Sequence, residues 1–416
     1  MPFPQPYCWK ICFFRDLKKC FRQSKLPVVF SWSESAPVPF EENPFIRNVI
    51  FNDRNQLMKA FLQDAVRQVA SEIIAVLSAD PFPSTVYPEC LCSAVRSYPV
   101  RGGKRIRPAL VLWTCGALGG DVKKALNAAA AVEIYHSWTL VHDDIIDEDE
   151  VRRGLPTTHV ELASHAAAAY KKNKHLCDKF GCDMAILAGD IQQAWAIDLL
   201  MRSTNLGCDP MLVMALTRRL QNTVNRGLIS GEALDVELPM RELHKVSRDE
   251  VIKTIIGKTV CLLQFCVQTG GAIALGSADF NRPELRNLAD YANAMGIAFQ
   301  LRDDYLGVFG DFKTFGKPLA SDFQEGKPTL LYLDAMEHLP ESGKKELLAL
   351  TGLPEYPMET VRKIRNLLRE SGAADRLLKE ISGYTDKALV CLNSLPENSY
   401  RQLLIDLTAY MLDREV

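Results

Sequence analysis

Three closely spaced aspartates follow a long apolar run in the middle of the sequence. Asp143, Asp144 and Asp147 lie in the stretch VHDDIIDEDEVRRGLPTT. On an α-helix of about 3.6 residues per turn, Asp143 and Asp147 project from the same face. Carboxylates at this spacing repel each other, and a cation between them offsets the repulsion. Hard oxygen ligands favour magnesium, which completes its coordination shell with water and phosphate oxygens. The stretch therefore predicts a helix that holds magnesium against a phosphorylated substrate.

A second acidic pair, Asp303 and Asp304, follows another apolar segment with helical periodicity, YANAMGIAFQL. The alternative interpretation of either pair is an ordinary solvated helix end. Two such pairs favour a polar cavity or a metal site instead, because ionised aspartates are costly in an apolar core. The adjacent Arg152 and Arg153, and the basic stretch GGKRIRP at residues 102–108, favour the binding of a diphosphate.

Helical periodicity dominates the chain from residue 55 onward, and alternating strand patterns are nearly absent. Asp121 is predicted to cap a long helix that carries the first acidic motif at its far end. Further helices are predicted over residues 184–201, 210–236, 251–275 and 285–309. The pattern predicts an all-α fold, a large helical bundle around a central cavity.

Residues 1–48 differ from the rest of the chain. A segment rich in basic and aromatic residues runs to Lys25 and is followed by a stretch with four prolines, which is typical of a linker. The basic segment suits a short amphipathic helix in peripheral contact with a membrane, part of a targeting peptide, or a poorly ordered extension. We predict an N-terminal extension and linker over residues 1–48, and a single all-helical domain over residues 49–416.

Composition excludes several other classes of protein. The formal net charge is -2, from 49 basic and 51 acidic residues, so the chain lacks the positive field of a general nucleic-acid-binding protein. The 12 cysteines do not form the paired C-x2-C sets of a zinc site, and idle thiols suit a reducing, cytoplasmic location. No segment has the roughly 20 consecutive apolar residues that a membrane-spanning helix needs.

From about Gly102 to Leu333 the chain resembles the trans-isoprenyl diphosphate synthases. The order of the matching pieces makes the resemblance specific: GGKRIRP, HDDIIDEDEVRRGLPTTH, ILAGD, GKT at 257–259, FQLRDDYLG, FGKPLASD and EGKPT. The resemblance implies an isoprenoid synthase fold, a homodimer, and a magnesium-dependent enzyme. Its reaction is the condensation of isopentenyl diphosphate with an allylic diphosphate.

The same resemblance implies a role for each matching residue. Two magnesium ions are expected on Asp143, Asp144 and Asp147, and a third on Asp303, beside Asp304. The allylic diphosphate is expected on Arg152, Lys258, Lys317 and Lys327, with Thr259 and Gln300 near the carbocation. Isopentenyl diphosphate is expected on Lys104, Arg107, His136 and Arg153. The null hypothesis for His136 is a core histidine that binds no ligand.

Two positions depart from the family pattern, and two others bear on product length. Gly307 stands where the fullest second motif has a fifth-position aspartate, and Glu232 stands where a glutamine is common.

In the family, side chains four and five residues before the first aspartate close the product pocket. Those residues are Thr139 and Trp138. The bulky indole and the absence of an insertion in the motif favour geranylgeranyl diphosphate, with farnesyl diphosphate as the alternative.

Two rival functions share these helices. A class I terpene cyclase consumes no isopentenyl diphosphate, and so would not need GGKRIRP or the second arginine of the pair. A non-catalytic subunit that tunes an active synthase would tend to lose its aspartates, whereas both pairs are intact here. The sequence therefore favours an active prenyltransferase.

Overall fold

The computed structural model describes the backbone of residues 44–310 and 319–412, and the side chains of residues 59–310 and 319–411. Its larger compact unit spans Gln56–Val416. The predicted extension lies mostly outside the described residues, and the first described helix begins at Pro44, before the predicted domain start. No described helix is long and apolar enough to cross a membrane.

Helices account for nearly all of the described regular structure, which confirms the predicted all-α fold. They are α1 Pro44–Ala79, α2 Glu89–Val100, α3 Ile106–Ala117, α4 Leu126–Ile146, α5 Thr158–Tyr170, α6 Lys174–Met201, α7 Pro210–Arg219, α8 Arg226–Glu237, α9 Arg248–Ile255, α10 Cys261–Leu275, α11 Pro283–Phe309, α12 Ser321–Gln324, α13 Leu330–His338, α14 Glu341–Ala349, α15 Met358–Glu370, α16 Ala373–Leu392 and α17 Ser399–Leu412.

Two of the predicted helices are interrupted by wider π-helical turns. Leu220–Asn225 joins α7 to α8, and Ile256–Val260 joins α9 to α10. Helix α6 begins ten residues earlier than predicted, at Lys174, because the Asn173 side chain accepts a hydrogen bond from Leu176 N at 3.0 Å and caps it. Asp121 caps a short 3₁₀ turn, Val122–Ala125, which leads directly into α4.

Within the described part of the chain, the core consists of two apolar clusters that share helix α11. Its first half, including Leu288 and Met295, packs in the cluster built around α3, α4 and α10. Its second half, including Ile297 and Leu301, packs in the cluster with α13, α15 and α16. Helix α4 runs through the first cluster with four consecutive buried alanines, Ala128 to Ala131, whose small side chains allow close helix packing. The two acidic motifs therefore lie at the ends of two buried helices.

The only strands in the described part of the chain form one small hairpin. β1 Val151–Arg152 pairs antiparallel with β2 Leu155–Pro156. The turn between them consists of Arg153 and Gly154, both with positive φ, as two-residue hairpins prefer. The hairpin follows the first acidic motif in the chain. Arg152 lies in its first strand and Arg153 in its turn, so the two side chains point in different directions.

Candidate active site

A cavity of about 1470 Å³ lies at the ends of the two helices that carry the acidic motifs. Its lining comes mainly from α4, α8, α10, α11 and the loops that flank them. Most of the residues predicted from separate motifs line this one cavity: Lys104, Arg107, His136, Trp138, Thr139, Asp143, Arg152, Lys258, Thr259, Gln300, Asp303, Asp304 and Lys327. Asp144, Asp147 and Arg153 lie beside it without lining it, and Lys317 lies outside the described residues.

Lys258 is the centre of an ion-pair cluster. Its Nζ lies 2.9 Å from Asp143 Oδ1, 3.1 Å from Glu232 Oε2 and 2.7 Å from Asp235 Oδ2. Burial lowers the pKa of Lys258, but the three carboxylates outweigh it and raise the pKa well above its ordinary value. Burial raises the pKa of Glu232, against the charge of Lys258. The glutamate that replaces the common glutamine is therefore a direct partner of this lysine.

Asp235 belongs to the site although the sequence interpretation did not select it. Besides Lys258, its Oδ2 lies 3.6 Å from Lys327 Nζ, which also contacts Asp147 Oδ1 at 3.7 Å and Glu325 Oε2 at 2.6 Å. A signal for it was present, because Glu232 and Asp235 are three residues apart and therefore share one face of a helix. Burial lowers the pKa of Lys327, but these carboxylates raise it above its ordinary value.

Close packing of two glycines places Lys258 in this cluster. A Cβ atom at Gly231 would lie 2.3 Å from Lys258 N, and one at Gly257 would lie 2.7 Å from Gly231 Cα. Only glycine at both positions allows α8 to approach the π-helical turn Ile256–Val260 so closely. The glycine of the GKT motif therefore serves a helix crossing, and the wider turn aims the lysine at the carboxylates.

Arg152 contacts three aspartates, of which two belong to the first acidic motif. Its Nε donates to Asp144 Oδ1 at 2.5 Å, and its Nη2 contacts Asp143 Oδ2 at 3.2 Å and Asp149 Oδ2 at 3.0 Å. Burial raises the pKa of Asp143, but Lys258 and Arg152 outweigh it, and the pKa is lowered. The neighbouring turn residue Arg153 has a different partner, because its Nη1 donates to Gly102 O.

Asp144 differs from Asp143 in its surroundings. It is completely buried, and Tyr98 of α2 donates its hydroxyl proton to Asp144 Oδ2. Burial raises the pKa of Asp144, against the charge of Arg152. Burial likewise raises the pKa of Asp147, against the charge of Lys327. Nothing in the sequence signals Tyr98, which lies 46 residues before Asp144 on another helix.

A chain of two side-chain hydrogen bonds leads to the second acidic pair. Thr259 Oγ1 donates to Gln300 Oε1 at 3.2 Å, and Gln300 Nε2 donates to Asp304 Oδ1 at 3.0 Å. Burial, and then the charges of Asp322 and Asp303, raise the pKa of Asp304 well above its ordinary value. The chain brings one threonine and one amide to the cavity wall next to the carboxylates.

A second group of basic side chains also lines the cavity, namely Lys104, Arg107 and His136. Burial lowers the pKa of His136 well below its ordinary value, and the charges of Arg107 and Arg153 act in the same direction. The imidazole is therefore neutral near pH 7, and offers one donor and one acceptor rather than a charge.

Trp138 and Thr139 lie on α4 one turn before the first acidic motif, and both line the cavity. Trp138 is 7% exposed, and its indole packs edge-on against Tyr135 and His142, with ring centroids 4.9 and 5.9 Å away. Thr139 Oγ1 donates to His136 O at 2.8 Å. The aromatic side chain is therefore held in place between two other rings.

The donor chemistry of the cavity fits magnesium. Asp143, Asp303 and Asp304 present hard carboxylate oxygens to it. Elsewhere among the described residues, Asp334, Glu337 and His338 have ligand atoms within 4.8 Å of one another, but they do not line the cavity. Asp334 also pairs with Arg376 at 2.9 Å. The cavity, not this surface group, combines carboxylates with several lysine and arginine side chains.

Comparison with known proteins gives consistent matches. The family model described as Polyprenyl synthetase matches residues 88–368. The chain is 36% identical over 298 residues to the geranylgeranyl diphosphate synthase of Saccharolobus solfataricus, covering 71% of this chain and 81% of that protein. It is 32% identical over 332 residues to the short chain isoprenyl diphosphate synthase of Methanothermobacter thermautotrophicus, with 80% and 93% covered.

A solved structure shows the same similarity. The geranylgeranyl pyrophosphate synthase from Corynebacterium glutamicum, complexed with isoprenyl diphosphate and magnesium, superposes with a TM-score of 0.74. The two sequences are 30% identical, and the alignment covers 85% of this chain and 99% of that chain.

Proposed function

Because this chain belongs to the polyprenyl synthetase family and is a short-chain prenyltransferase, we propose that it makes geranylgeranyl diphosphate in a magnesium-dependent reaction. The family match confirms the resemblance and the isoprenoid synthase fold predicted from the sequence. One observation carries the proposal. Carboxylates, two groups of basic side chains and an aromatic side chain, all taken from separate motifs, line the same cavity.

The proposed metal ligands are Asp143, Asp144, Asp147 and Asp303. Each oxygen of Asp144 already accepts a hydrogen bond, from Tyr98 or Arg152, but a carboxylate offers about four lone-pair directions and keeps room for a further partner. When bound, magnesium neutralises the negative charge that develops on the departing diphosphate. The relative from Corynebacterium glutamicum was solved with magnesium, which supports this choice of metal.

The cations Arg152, Lys258 and Lys327 are proposed to bind the allylic diphosphate, together with Lys317. In this structure they pair with carboxylates of the proposed metal site, such as Lys258 with Asp143 and Lys327 with Asp147. Binding of metal and diphosphate would therefore exchange ion pairs within the protein for ion pairs with the ligands. This exchange keeps the buried charges compensated in both states.

The reaction breaks the bond between C1 of the allylic substrate and the diphosphate oxygen, which leaves with the electron pair. The double bond of isopentenyl diphosphate then donates its electrons to C1, and a proton is lost from the new cation. Gln300 and Thr259 bring neutral oxygen dipoles to the cavity wall, where they can stabilise the allylic cation without capturing it. Lys104, Arg107 and His136, with Arg153, are proposed to hold isopentenyl diphosphate.

Product length is proposed to be limited by Trp138 and Thr139. The Trp138 indole is held by two neighbouring rings, so it cannot readily move aside for a longer chain. Relatives named geranylgeranyl diphosphate synthase support a product of twenty carbons, and farnesyl diphosphate remains the alternative.

The functional enzyme is proposed to be a homodimer. Large apolar side chains of the neighbouring helices α6 and α7 are exposed in the single chain, namely Ile186, Leu187, Met211 and Met214. Exposed apolar surface of this kind marks protein interfaces. Light scattering on the purified protein would measure the mass directly, and a monomer at assay concentrations would refute this part of the proposal.

Product analysis tests the proposed function. The purified protein is incubated with isopentenyl diphosphate and each allylic primer in turn, with magnesium or with a chelator, and the dephosphorylated products are separated by chromatography. We expect geranylgeraniol only when magnesium is present. Farnesol would select the alternative product. A terpene hydrocarbon formed without isopentenyl diphosphate would indicate a cyclase and refute the proposal.

A further inference from the structure

A buried arginine fastens the loop that leads to the second group of cavity cations. Residues 101–105 connect α2 to α3, and Lys104 and Arg107 on either side of Arg105 line the cavity. Arg105 turns away from it and is only 2% exposed. Its backbone adopts a left-handed conformation with φ of 46°, which is unusual for a residue with a side chain. Such a conformation persists only where the surroundings enforce it.

The partners of Arg105 explain this conformation. Its Nη2 donates to Pro99 O at 2.8 Å and to Arg101 O at 2.7 Å, at the carboxyl end of α2. There the guanidinium satisfies carbonyls that have no helical partner. Its Nη1 donates to Glu133 Oε1 on α4. One side chain therefore ties the loop both to the end of α2 and to the helix that carries the first acidic motif.

Glu133 is the buried counter-charge for this region. It is 3% exposed and lies one turn before His136 on α4. Burial lowers the pKa of Arg107 and of Arg153, and the charge of Glu133 opposes this lowering at both. A single carboxylate therefore places negative charge among Arg105, Arg107 and Arg153, which would otherwise repel one another.

We propose that Arg105 and Glu133 are positioning residues for isopentenyl diphosphate: the buried pair fixes the loop so that Lys104 and Arg107 face the cavity. This inference rests on the proposed function, because it assumes that those two cations bind that substrate. Arg105 and Glu133 do not line the cavity, so they act through their neighbours. The allylic side of the site, built around Lys258 and Arg152, is held by other contacts.

Two conservative variants test the proposal. Arg105→Lys keeps the charge but loses the planar fork that reaches two carbonyls and a carboxylate together. Glu133→Gln keeps the shape of its side chain but loses the charge. We expect either variant to raise KM for isopentenyl diphosphate roughly tenfold or more, since small misplacements of binding groups are costly. KM for the allylic primer should stay within about twofold of the parent value.

A matched control separates positioning from general stability. Asp80→Asn disrupts another ion pair, between the buried Asp80 and the partly exposed Arg202 at 2.5 Å, whose residues do not line the cavity. It should lower the melting temperature without changing the ratio of the two KM values. A double-mutant cycle adds a second readout. If Arg105 acts through Lys104 and Arg107, then Arg105→Lys should raise KM little further when both cations are already alanine.

The outcomes are distinct. A parent protein that forms no product with isopentenyl diphosphate refutes the proposed function itself. With an active parent, variants of Arg105 and Glu133 that change both KM values equally, or that lower only the melting temperature, overturn the positioning role. Failure of both variants to fold would also overturn it, because the pair would then serve the fold as a whole.

Discussion

Replacement of Asp143 by asparagine separates a role in metal binding from a role in ion pairing. The carboxylate contacts Lys258 Nζ at 2.9 Å and Arg152 Nη2 at 3.2 Å. Each of these cations keeps two other carboxylate partners in the variant, and the amide oxygen of asparagine can still accept a hydrogen bond. We therefore expect Asp143→Asn to cost only about 1 kcal/mol of stability, the net value of a typical hydrogen bond.

The effect on turnover should be far larger. If Asp143 holds magnesium against the diphosphate, the variant loses Lewis-acid stabilisation worth several kcal/mol. A loss of ~4 kcal/mol corresponds to a roughly thousandfold lower turnover. Half-saturation should also require more magnesium. The assay measures product formation against magnesium concentration at saturating substrates, while circular dichroism checks the helix content.

Asp149→Asn is the matched control for Asp143→Asn. Asp149 contacts the same Arg152 Nη2 at 3.0 Å, but it is not one of the proposed metal ligands. The two variants make the same chemical change beside the same arginine, so pairing with Arg152 alone would give them similar turnover. We expect Asp149→Asn to stay within a few fold of the parent. Turnover of Asp143→Asn within a few fold of the parent, or equal losses in both variants, would refute the reasoning.

Three further predictions address the substrate sites, the product pocket and the helix crossing. Lys104→Ala should raise KM for isopentenyl diphosphate, and Lys258→Ala should raise KM for the allylic substrate. Each increase should be roughly ten- to hundredfold, since a charge-assisted contact is worth ~1.5 to 3 kcal/mol. Steady-state kinetics that show equal effects on both substrates would contradict the assignment of these lysines to separate substrate sites. Trp138→Ala should shift the products to more than twenty carbons, and an unchanged product distribution in a folded, active variant would show that another residue sets the limit. Gly257→Ala should lower the free energy of unfolding by about 1 to 3 kcal/mol, because its methyl group would meet the backbone of Gly231. A denaturant titration that gives the same free energy of unfolding as the parent would count against the tight helix crossing.

Much of the candidate site could be predicted because its signals are local. The four-residue spacing of Asp143 and Asp147 follows from helical geometry, and so does the sharing of one face by Glu232 and Asp235. The apolar runs before both acidic pairs predicted buried helices, and α4 and α11 lie where expected. The order of the motifs made the family resemblance specific, and one cavity contains most of the residues that this resemblance implied. Local periodicity is sufficient for such inferences because a helix fixes the direction of each side chain relative to its neighbours.

Only the tertiary structure decided which partner each charged group has. Asp143 and Asp144 are adjacent in sequence, yet one lines the cavity and the other is buried against Tyr98. Arg152 and Arg153 are also adjacent, and the hairpin directs them to different partners. These outcomes depend on contacts between residues that are far apart in the chain. Because burial and a neighbouring charge determine whether a carboxylate is available to a ligand, and both arise from packing, the helical pattern of the sequence could not determine them.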